Sequence, residues 1–354
     1  MTGRAVPVEQ SRALRGPRAE KTVCLALQGG GAHGAFTWGV LDAILEDGRL
    51  AIEAITGASA GAMNAVVLAE GWRAGGAEGA RAKLAAFWQR VSVDGGLSPL
   101  QRQLFDRVMG FWGGDGTPGR FWFEALHRHT SPYQVNPLDI NPLKDALLAL
   151  IDFEAARACG DVRLFISATN VWTGKIRVFE GADLTVDHLL ASACLPTLFR
   201  AVEIDGEPYW DGGYMGNPPL FPLFYGIATD DVVLVQINPV ERRETPRTAP
   251  EIENRLNEII FNGNLLRELR AVEFVTRLID SGKLSPDDYK RVLMHRIDPT
   301  GYLDEFPASS RASADWDFFQ TLRDRGQAAG RSWLEQNYDA VGVRSTLDLR
   351  HEIA

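Results

Sequence analysis

A serine flanked by glycines stands where the chain must turn sharply. The segment Gly57-Ala58-Ser59-Ala60-Gly61 follows a short apolar run and precedes an Ala/Met-rich stretch of helical character. This order is typical of a nucleophile elbow, in which the glycines remove Cβ clashes and the serine hydroxyl projects above a sheet. The N-terminus of the next helix would favour developing negative charge. We therefore predict Ser59 as a nucleophile; a helix cap after a tight turn is the alternative.

A glycine-rich loop also joins a predicted strand to a predicted helix. Residues 29–34 read Gly-Gly-Gly-Ala-His-Gly, and consecutive glycines let several N–H groups point the same way, which creates an anion-binding concavity. The spacing fits a dinucleotide fingerprint, but that fingerprint expects an acidic residue after the second strand, where this chain has the Ser59 turn. We interpret the loop as an oxyanion hole with amide donors near Gly30 and Gly31 and at Ala60.

A serine hydroxyl needs a base before it can attack a carbonyl carbon. None of the six histidines stands in a turn motif that suggests a base, whereas Asp211 follows a short predicted strand and precedes Gly212 and Gly213. A carboxylate buried beside a hydroxyl becomes basic enough to accept its proton. We predict a Ser59–Asp211 dyad, with a plain β-turn at Asp211 as the alternative. A triad with His295 stays open, although an α/β-hydrolase normally has several strands before its nucleophile.

The elements around these residues indicate an α/β fold with a parallel sheet. Short apolar runs predict strands at 22–27, 54–56, 161–171 and 231–237. The first of these strands ends at the glycine loop, and the second ends at the serine turn. Residues 175–180 would pair beside the third run. Helical spacing predicts helices at 35–46, 62–72, 184–194, 250–282 and 313–336.

The same patterns divide the chain into regions. We expect a disordered tail at 1–20, a catalytic domain at 21–240 and a helical C-terminal extension at 241–354. Residues 91–143 are irregular and rich in Gly, Pro and aromatics, and we interpret them as a cap-like insertion. Its aromatic part, 104–123, would touch lipid or line an acyl channel, with packing under a surface loop as the alternative.

Composition narrows the classes of partner. The 354 residues are 45% hydrophobic and 23% charged, as in ordinary globular proteins, and the formal net charge is −9. An acidic chain repels phosphate backbones, so we expect no nucleic-acid partner and no general adhesion to anionic membranes. The three cysteines are widely spaced, which indicates neither a disulfide framework nor a zinc site. The polar N-terminal residues carry no apolar signal segment, so we expect a cytoplasmic protein.

Four motifs in order carry a family resemblance: the glycine loop, the serine turn, the segment 191–199 (Ala-Ser-Ala-Cys-Leu-Pro-Thr-Leu-Phe) and the Asp211 turn. Together, over roughly residues 22–240, they resemble the bacterial patatin-like phospholipases. The resemblance implies a three-layer α/β/α sandwich, the Ser59–Asp211 dyad, and no metal or organic cofactor. It also implies oxyanion donors from Gly29, Gly30 and Gly31, and supporting glycines at the turns, namely Gly34, Gly57, Gly61, Gly212 and Gly213.

The activity implied by the resemblance is hydrolysis of acyl esters in lipids, of the phospholipase A or carboxylesterase kind. We therefore expect a lipid or acyl-ester substrate, an acyl-serine intermediate, transient contact with a membrane surface, and a homo-oligomer if the C-terminal helices form a dimer face. A catalytically silent lipid- or protein-binding module on the same fold is the alternative. Two positions depart from the family pattern: Gln28, where Asp or Gly is usual, and His33, where Arg or Lys is usual.

Overall fold

The computed structural model describes residues 13–92, 131–136, 139, 141–303, 306 and 315–353. Within them one sheet contains the strands β1 (Lys21–Leu27), β2 (Leu50–Gly57), β3 (Arg163–Asn170), β4 (Ile176–Glu180), β5 (Val202–Ile204), β6 (Glu207–Asp211), β7 (Asp231–Val235) and β8 (Leu293–Ile297). The helices are α1 (Gly34–Asp47), α2 (Ala60–Val91), α3 (Pro132–Val135), α4 (Pro142–Leu150), α5 (Phe153–Arg157), α6 (Val186–Ser192), α7 (Ala249–Asp280), α8 (Trp316–Asn337) and α9 (Leu349–Glu352).

The sheet is mainly parallel. Its strand order is β5-β6-β3-β2-β1-β7-β8, and β4 also pairs with β3. Strands β3, β2, β1, β7 and β8 pair in parallel with one another, whereas β4 and β6 each pair antiparallel with β3, and β5 pairs antiparallel with β6. The ends of β1 and β2 therefore lie at the same edge of the sheet, which brings the glycine loop and the serine turn together.

Both faces of the sheet are covered, as expected for parallel strands that read as continuous apolar runs. Along β1, Val23, Leu25 and Leu27 belong to the core formed with α1, α2 and α8. The alternate residues Cys24 and Ala26 belong to the core formed with α7. Successive side chains of a strand point to opposite faces, so one strand serves both cores. The predicted three-layer α/β/α sandwich is confirmed.

Two segments that the apolar pattern does not predict pair with the sheet, one before β1 and one in the C-terminal region. The C-terminal region is helical in α7 and α8, but it also contributes β8, which pairs with β7. The predicted helical C-terminal extension is confirmed in α7 and α8; β8 was not predicted, because five residues that include a histidine and an arginine lack an obvious strand pattern. Of the predicted tail, residues 13–20 are described, and Leu14 is buried and pairs with Ile52.

Two further differences concern the helices. Helix α2 extends well past the predicted end at 72, to Val91, with a kink at Gly75 and Gly76. Most of the predicted cap-like insertion, including 104–123, lies outside the described residues. No helix in the described part of the chain is both long and apolar enough to cross a membrane.

Helices α1 and α8 approach each other closely at glycines. A Cβ on Gly39 would collide with the backbone carbonyl of Arg323, and one on Gly326 would collide with that of Phe36. Close helix crossings of this kind require that no side chain separates the two backbones. Since α1 begins at the glycine loop, its packing against α8 also supports the site.

We expect Gly39→Ala to lower the free energy of unfolding by about 2 kcal/mol or more, because the added methyl group forces α1 and α8 apart. Urea unfolding monitored by circular dichroism measures the change. Gly263→Ala is the matched control: Gly263 also lies in a helix, but no atom lies within 4 Å of a Cβ added there. That control should be neutral or stabilising by up to ~1 kcal/mol. Equal stability of the two variants would contradict this account of the crossing.

Candidate active site

Ser59 occupies a strained turn between β2 and α2. Its φ is +51° and its ψ is −123°, a backbone conformation that residues with a side chain rarely adopt. The Ser59 N–H donates a hydrogen bond to Ser192 Oγ at 3.0 Å, which helps to hold the strained turn. Ser59 is half-buried rather than enclosed, and it stands immediately before the first residue of α2, Ala60. The sharp strand-to-helix turn that the sequence predicts at Ser59 is therefore present in the backbone.

The motif glycines allow the loops around Ser59 to touch. A Cβ on Gly61 would collide with the carbonyl oxygen of Leu27, and a Cβ on Gly57 would lie 2.7 Å from the carbonyl carbon of Gly61. At Gly29 an added Cβ would lie 2.8 Å from Ser59 Cβ. These contacts explain in physical terms why glycine is needed on both sides of the serine and in the facing loop.

Asp211 is the last residue of β6, and its backbone is held from two sides. Its N–H donates to the carbonyl of Cys194 at 2.8 Å, and its carbonyl accepts a hydrogen bond from Thr169 Oγ1 at 2.8 Å. The carboxylate is 1% exposed and accepts a hydrogen bond from the Gly213 N–H at 2.7 Å. The Ser59 side chain lies within interaction range of this carboxylate and lowers its pKa. The two predicted catalytic side chains are therefore close together.

Burial dominates the chemistry of the Asp211 carboxyl group. Removal from water raises the pKa of Asp211 from 3.8 to about 7, because the charged form loses its hydration. The hydrogen bonds from the Gly213 N–H and the Ser59 side chain lower this pKa and partly offset the effect of burial. A carboxylate with a pKa near 7 is a much stronger base than one in water, and it lies next to a hydroxyl group.

The glycine loop begins at the end of β1 and runs into a short 3₁₀ turn, Gly31–His33, with Gly31 at a φ of +59°. Gly31 opens that turn and Ala60 opens α2, and amides at the start of a helix have no acceptor within it. The Gly29 N–H, however, donates to Asn217 Oδ1 at 2.6 Å. The Gly29 amide therefore already has an acceptor, whereas Gly30, Gly31 and Ala60 are the stronger candidates for oxyanion donors.

The remaining motif glycines lie where the sequence predicted them, at the turns. Gly34 begins α1 and packs against the loop of the nucleophile: a Cβ there would lie 2.6 Å from Ala60 Cβ. Gly212 and Gly213 start the 3₁₀ turn that follows β6. The Gly212 position is closed to any side chain, since a Cβ would collide with the backbone of Ser167.

The two departures from the family pattern have different surroundings. The Gln28 side chain is buried, with Oε1 accepting from the N–H groups of Ile237 and Asn238, both at 2.9 Å, and Nε2 donating to Asn262 Oδ1 at 2.9 Å. It therefore connects β1, the segment after β7 and α7. His33 is buried, and its ring centroid lies 6.5 Å from that of Phe318 in α8.

His295 does not belong to this site. It lies on β8 with its side chain fully buried; its Nε2 is 2.9 Å from Asp231 Oδ1 and its Nδ1 is 3.1 Å from Thr346 Oγ1. Both ring nitrogens are engaged by these groups, whereas the Asp211 carboxylate interacts with the Ser59 side chain. The triad that the sequence left open is thus contradicted by the placement of His295.

The sequence patterns do not predict the roles of two residues that support the site. Ser192 stands in the segment 191–199, which we noted as a motif without assigning a role to its hydroxyl. Asn217 lies six positions after Asp211, and no local pattern marks it. Only its position on the folded chain, against Gly29, reveals what it contacts.

A comparison with protein families gives one result. The family model described as Patatin-like phospholipase matches residues 25–224, which is more than half of the chain and includes all four motifs. Comparison with curated proteins gives no significant match.

Solved structures similar to this chain are of low identity. VipD from Legionella pneumophila is 15% identical, with a TM-score of 0.34 and coverage of 88% of this chain and 70% of that one. Full-length ExoU of Pseudomonas aeruginosa, in complex with SpcU, is 15% identical, with a TM-score of 0.34 and coverage of 92% of this chain. This chain spans 58% of that ExoU chain. The matched region, rather than these distant structures, assigns the family: the chain belongs to the patatin-like phospholipases.

Proposed function

We propose that this protein hydrolyses acyl esters of lipids through a Ser59–Asp211 dyad and a covalent acyl-serine. The observation that carries the proposal is the closeness of the Ser59 side chain to a carboxylate that is almost fully buried. Family membership favours a lipid ester as substrate. The strained serine turn and the start of α2 add the electrostatic setting that acyl transfer requires.

The first half of the proposed reaction forms the acyl-enzyme. Asp211 accepts the proton of the Ser59 hydroxyl as Oγ bonds to the ester carbonyl carbon. The carbonyl oxygen becomes an oxyanion, and the amides of Gly30, Gly31 and Ala60 are the proposed donors to it. When the ester C–O bond breaks, the leaving alcohol or lysolipid takes the proton back from Asp211.

The second half releases the fatty acid. Asp211 accepts a proton from a water molecule as the water oxygen attacks the acyl carbon, and the same donors stabilise the second oxyanion. The bond between Oγ and the acyl carbon then breaks, Ser59 regains a proton from Asp211, and the fatty acid leaves. One carboxylate therefore serves both steps, as base and then as acid.

A surface beside the site supports contact with aggregated lipid. Along the first half of α7, Ile252, Leu256, Ile259 and Ile260 are 43–53% exposed, at a spacing that places them on one helical face. We call these four residues the apolar stripe. Further along the same face, Arg267 and Arg270 are exposed and supply positive charge suited to phosphate headgroups.

The opposite side of α7 contacts the Asp211 turn. The Phe261 ring packs against that of Tyr214 with centroids 5.6 Å apart, and Asn264 Nδ2 donates to the Tyr214 carbonyl at 2.9 Å. The apolar stripe is therefore one helix away from the proposed base. Docking of the stripe on a lipid surface would bring acyl esters to the edge of the sheet where Ser59 lies.

Ser59→Ala and Asp211→Asn should each reduce ester hydrolysis by ~10³-fold or more, because the first removes the nucleophile and the second removes the base. Hydrolysis of ester substrates of graded chain length measures the loss. A fluorophosphonate probe should label the wild type but not Ser59→Ala, whereas a silent binding module would label neither. His295→Gln is the control: activity per folded molecule should stay near wild type, and a collapse there would contradict the dyad.

The pH dependence follows from the raised pKa of Asp211, about 7. The ionised form is the base, so kcat/KM should fall about tenfold per pH unit below pH ~6 and level off above pH ~8. Initial rates across pH on a neutral ester measure this acid limb. Burial also raises the pKa of Glu268 to about 7, so Glu268→Gln is the control. An acid limb that disappears in Glu268→Gln would contradict the assignment to Asp211.

Replacing Leu256 and Ile259 together by Glu should lower activity on phosphatidylcholine vesicles by about tenfold or more, since two apolar groups no longer enter the lipid. Activity on a soluble short-chain ester should be unchanged, because the dyad is untouched. Val343→Glu is the matched control: Val343 is 68% exposed, but it lines a cleft with Glu53 and Asp231 at the opposite end of the strands. Equal losses on both substrates would contradict a docking role for the stripe.

A further inference from the structure

The loop that begins with the proposed base ends on the glycine loop. Asp211 opens this segment, and six residues later the buried Asn217 side chain reaches Gly29. Asn217 Oδ1 accepts a hydrogen bond from the Gly29 N–H at 2.6 Å, and Asn217 Nδ2 donates to the Gly29 carbonyl at 3.2 Å. One side chain thus holds both backbone polar groups of Gly29, much as a neighbouring strand would.

Two further amide side chains stabilise the position of Gly29: Asn238 does so directly, and Gln28 does so through Asn238. Asn238 Nδ2 donates to the Gly29 carbonyl at 2.7 Å, so that carbonyl has two donors. Gln28 Oε1 in turn accepts from the Asn238 N–H at 2.9 Å and from Asn238 Nδ2 at 3.2 Å. All three amide side chains are fully buried, and buried polar groups are costly unless they are hydrogen-bonded. The backbone of Gly29 is therefore fixed in position.

Fixing Gly29 matters because glycines follow it. Consecutive glycines have unusually free backbone torsions, so the directions of the Gly30 and Gly31 amides are not determined by their own residue types. Peptide groups are planar, so holding the carbonyl of Gly29 orients the amide of Gly30, which shares that peptide group. Donors to an oxyanion stabilise it only when they are already aimed at it before the reaction.

We propose that Asn217 is a positioning residue for the reaction: it fixes Gly29, so that the following amides face the carbonyl attacked by Ser59. Asn217 acts through Gly29 and touches neither the substrate nor the reacting atoms. The proposal rests on the proposed function of Ser59 and Asp211. Its consequence is that a single loop, from Asp211 to Asn217, sets both the base and the oxyanion donors.

The test is the kinetics of Asn217→Ala on a soluble short-chain ester. We expect kcat to fall about 10- to 100-fold while KM stays within about twofold, because the lost orientation affects the transition state more than the bound ester. The acid limb near pH 7 should remain, since the Asp211 carboxyl group keeps its burial and its contacts. The rate of labelling by a fluorophosphonate should fall in parallel with kcat, because its phosphoryl oxygen uses the same donors.

Two other variants keep the test decisive if Asn217→Ala folds poorly. Asn217→Asp has the same size and retains an acceptor for the Gly29 N–H, but it loses the donor to the Gly29 carbonyl; its kcat should fall with KM unchanged. Asn170→Ala removes another buried asparagine, which donates to Glu207 Oε2 at 2.7 Å outside this loop. We expect that control to change thermal stability without lowering kcat per folded molecule.

The outcomes separate the inference from the proposed function. Wild-type kcat and labelling rate in folded Asn217→Ala or Asn217→Asp would overturn the positioning role. A joint shift of KM, acid limb and kcat would overturn it too, because it would indicate a general structural role. If Ser59→Ala hydrolysed esters like the wild type, the proposed function would fail whatever Asn217 does. Loss of activity in Ser59→Ala, together with wild-type kinetics in the Asn217 variants, would overturn the inference about Asn217 and leave the proposed function standing.

Discussion

Burial of the Asp211 carboxyl group is the constraint on which the rest of the site depends. An ionised carboxylate loses most of its hydration when it is enclosed, and its few remaining hydrogen bonds, from the Gly213 N–H and the Ser59 side chain, compensate only in part. The group is therefore basic because it is poorly solvated. It can stay so only while the surrounding loops exclude water, which requires close contact between segments that are far apart in the chain.

The sheet provides this closeness. The strands that precede the glycine loop and Ser59 lie side by side and end at one edge of the sheet. Strand β6, which pairs antiparallel with β3, ends there too, at Asp211. The strained backbone of Ser59 is tolerated because its surroundings are fixed. Ser192 Oγ accepts a hydrogen bond from the Ser59 N–H, and α2 starts directly after Ser59. The reactive geometry is thus a property of several elements together and not of the pentapeptide alone.

Local patterns predicted much of this, and for clear reasons. The apolar run along β1 and the glycines around Ser59 act within a few residues, so the sequence shows them directly. Contacts between distant residues leave no such trace: the engagement of the Gly29 amide by Asn217 joins positions 188 residues apart. Strand β8 was missed because its polar residues are satisfied by distant partners, such as Asp231 beside His295.

The position of α8 has a consequence for how the protein matures. This helix, which comes after all four motifs in the sequence, packs glycine to backbone against α1, the helix that begins at the glycine loop. Asn238 and β8 also come after the motifs in synthesis order. A ribosome would therefore make Ser59 and Asp211 before the elements that secure their surroundings. During synthesis Ser59 would first emerge without the packing that supports it, so its loop can reach its final arrangement only after α8 has been made.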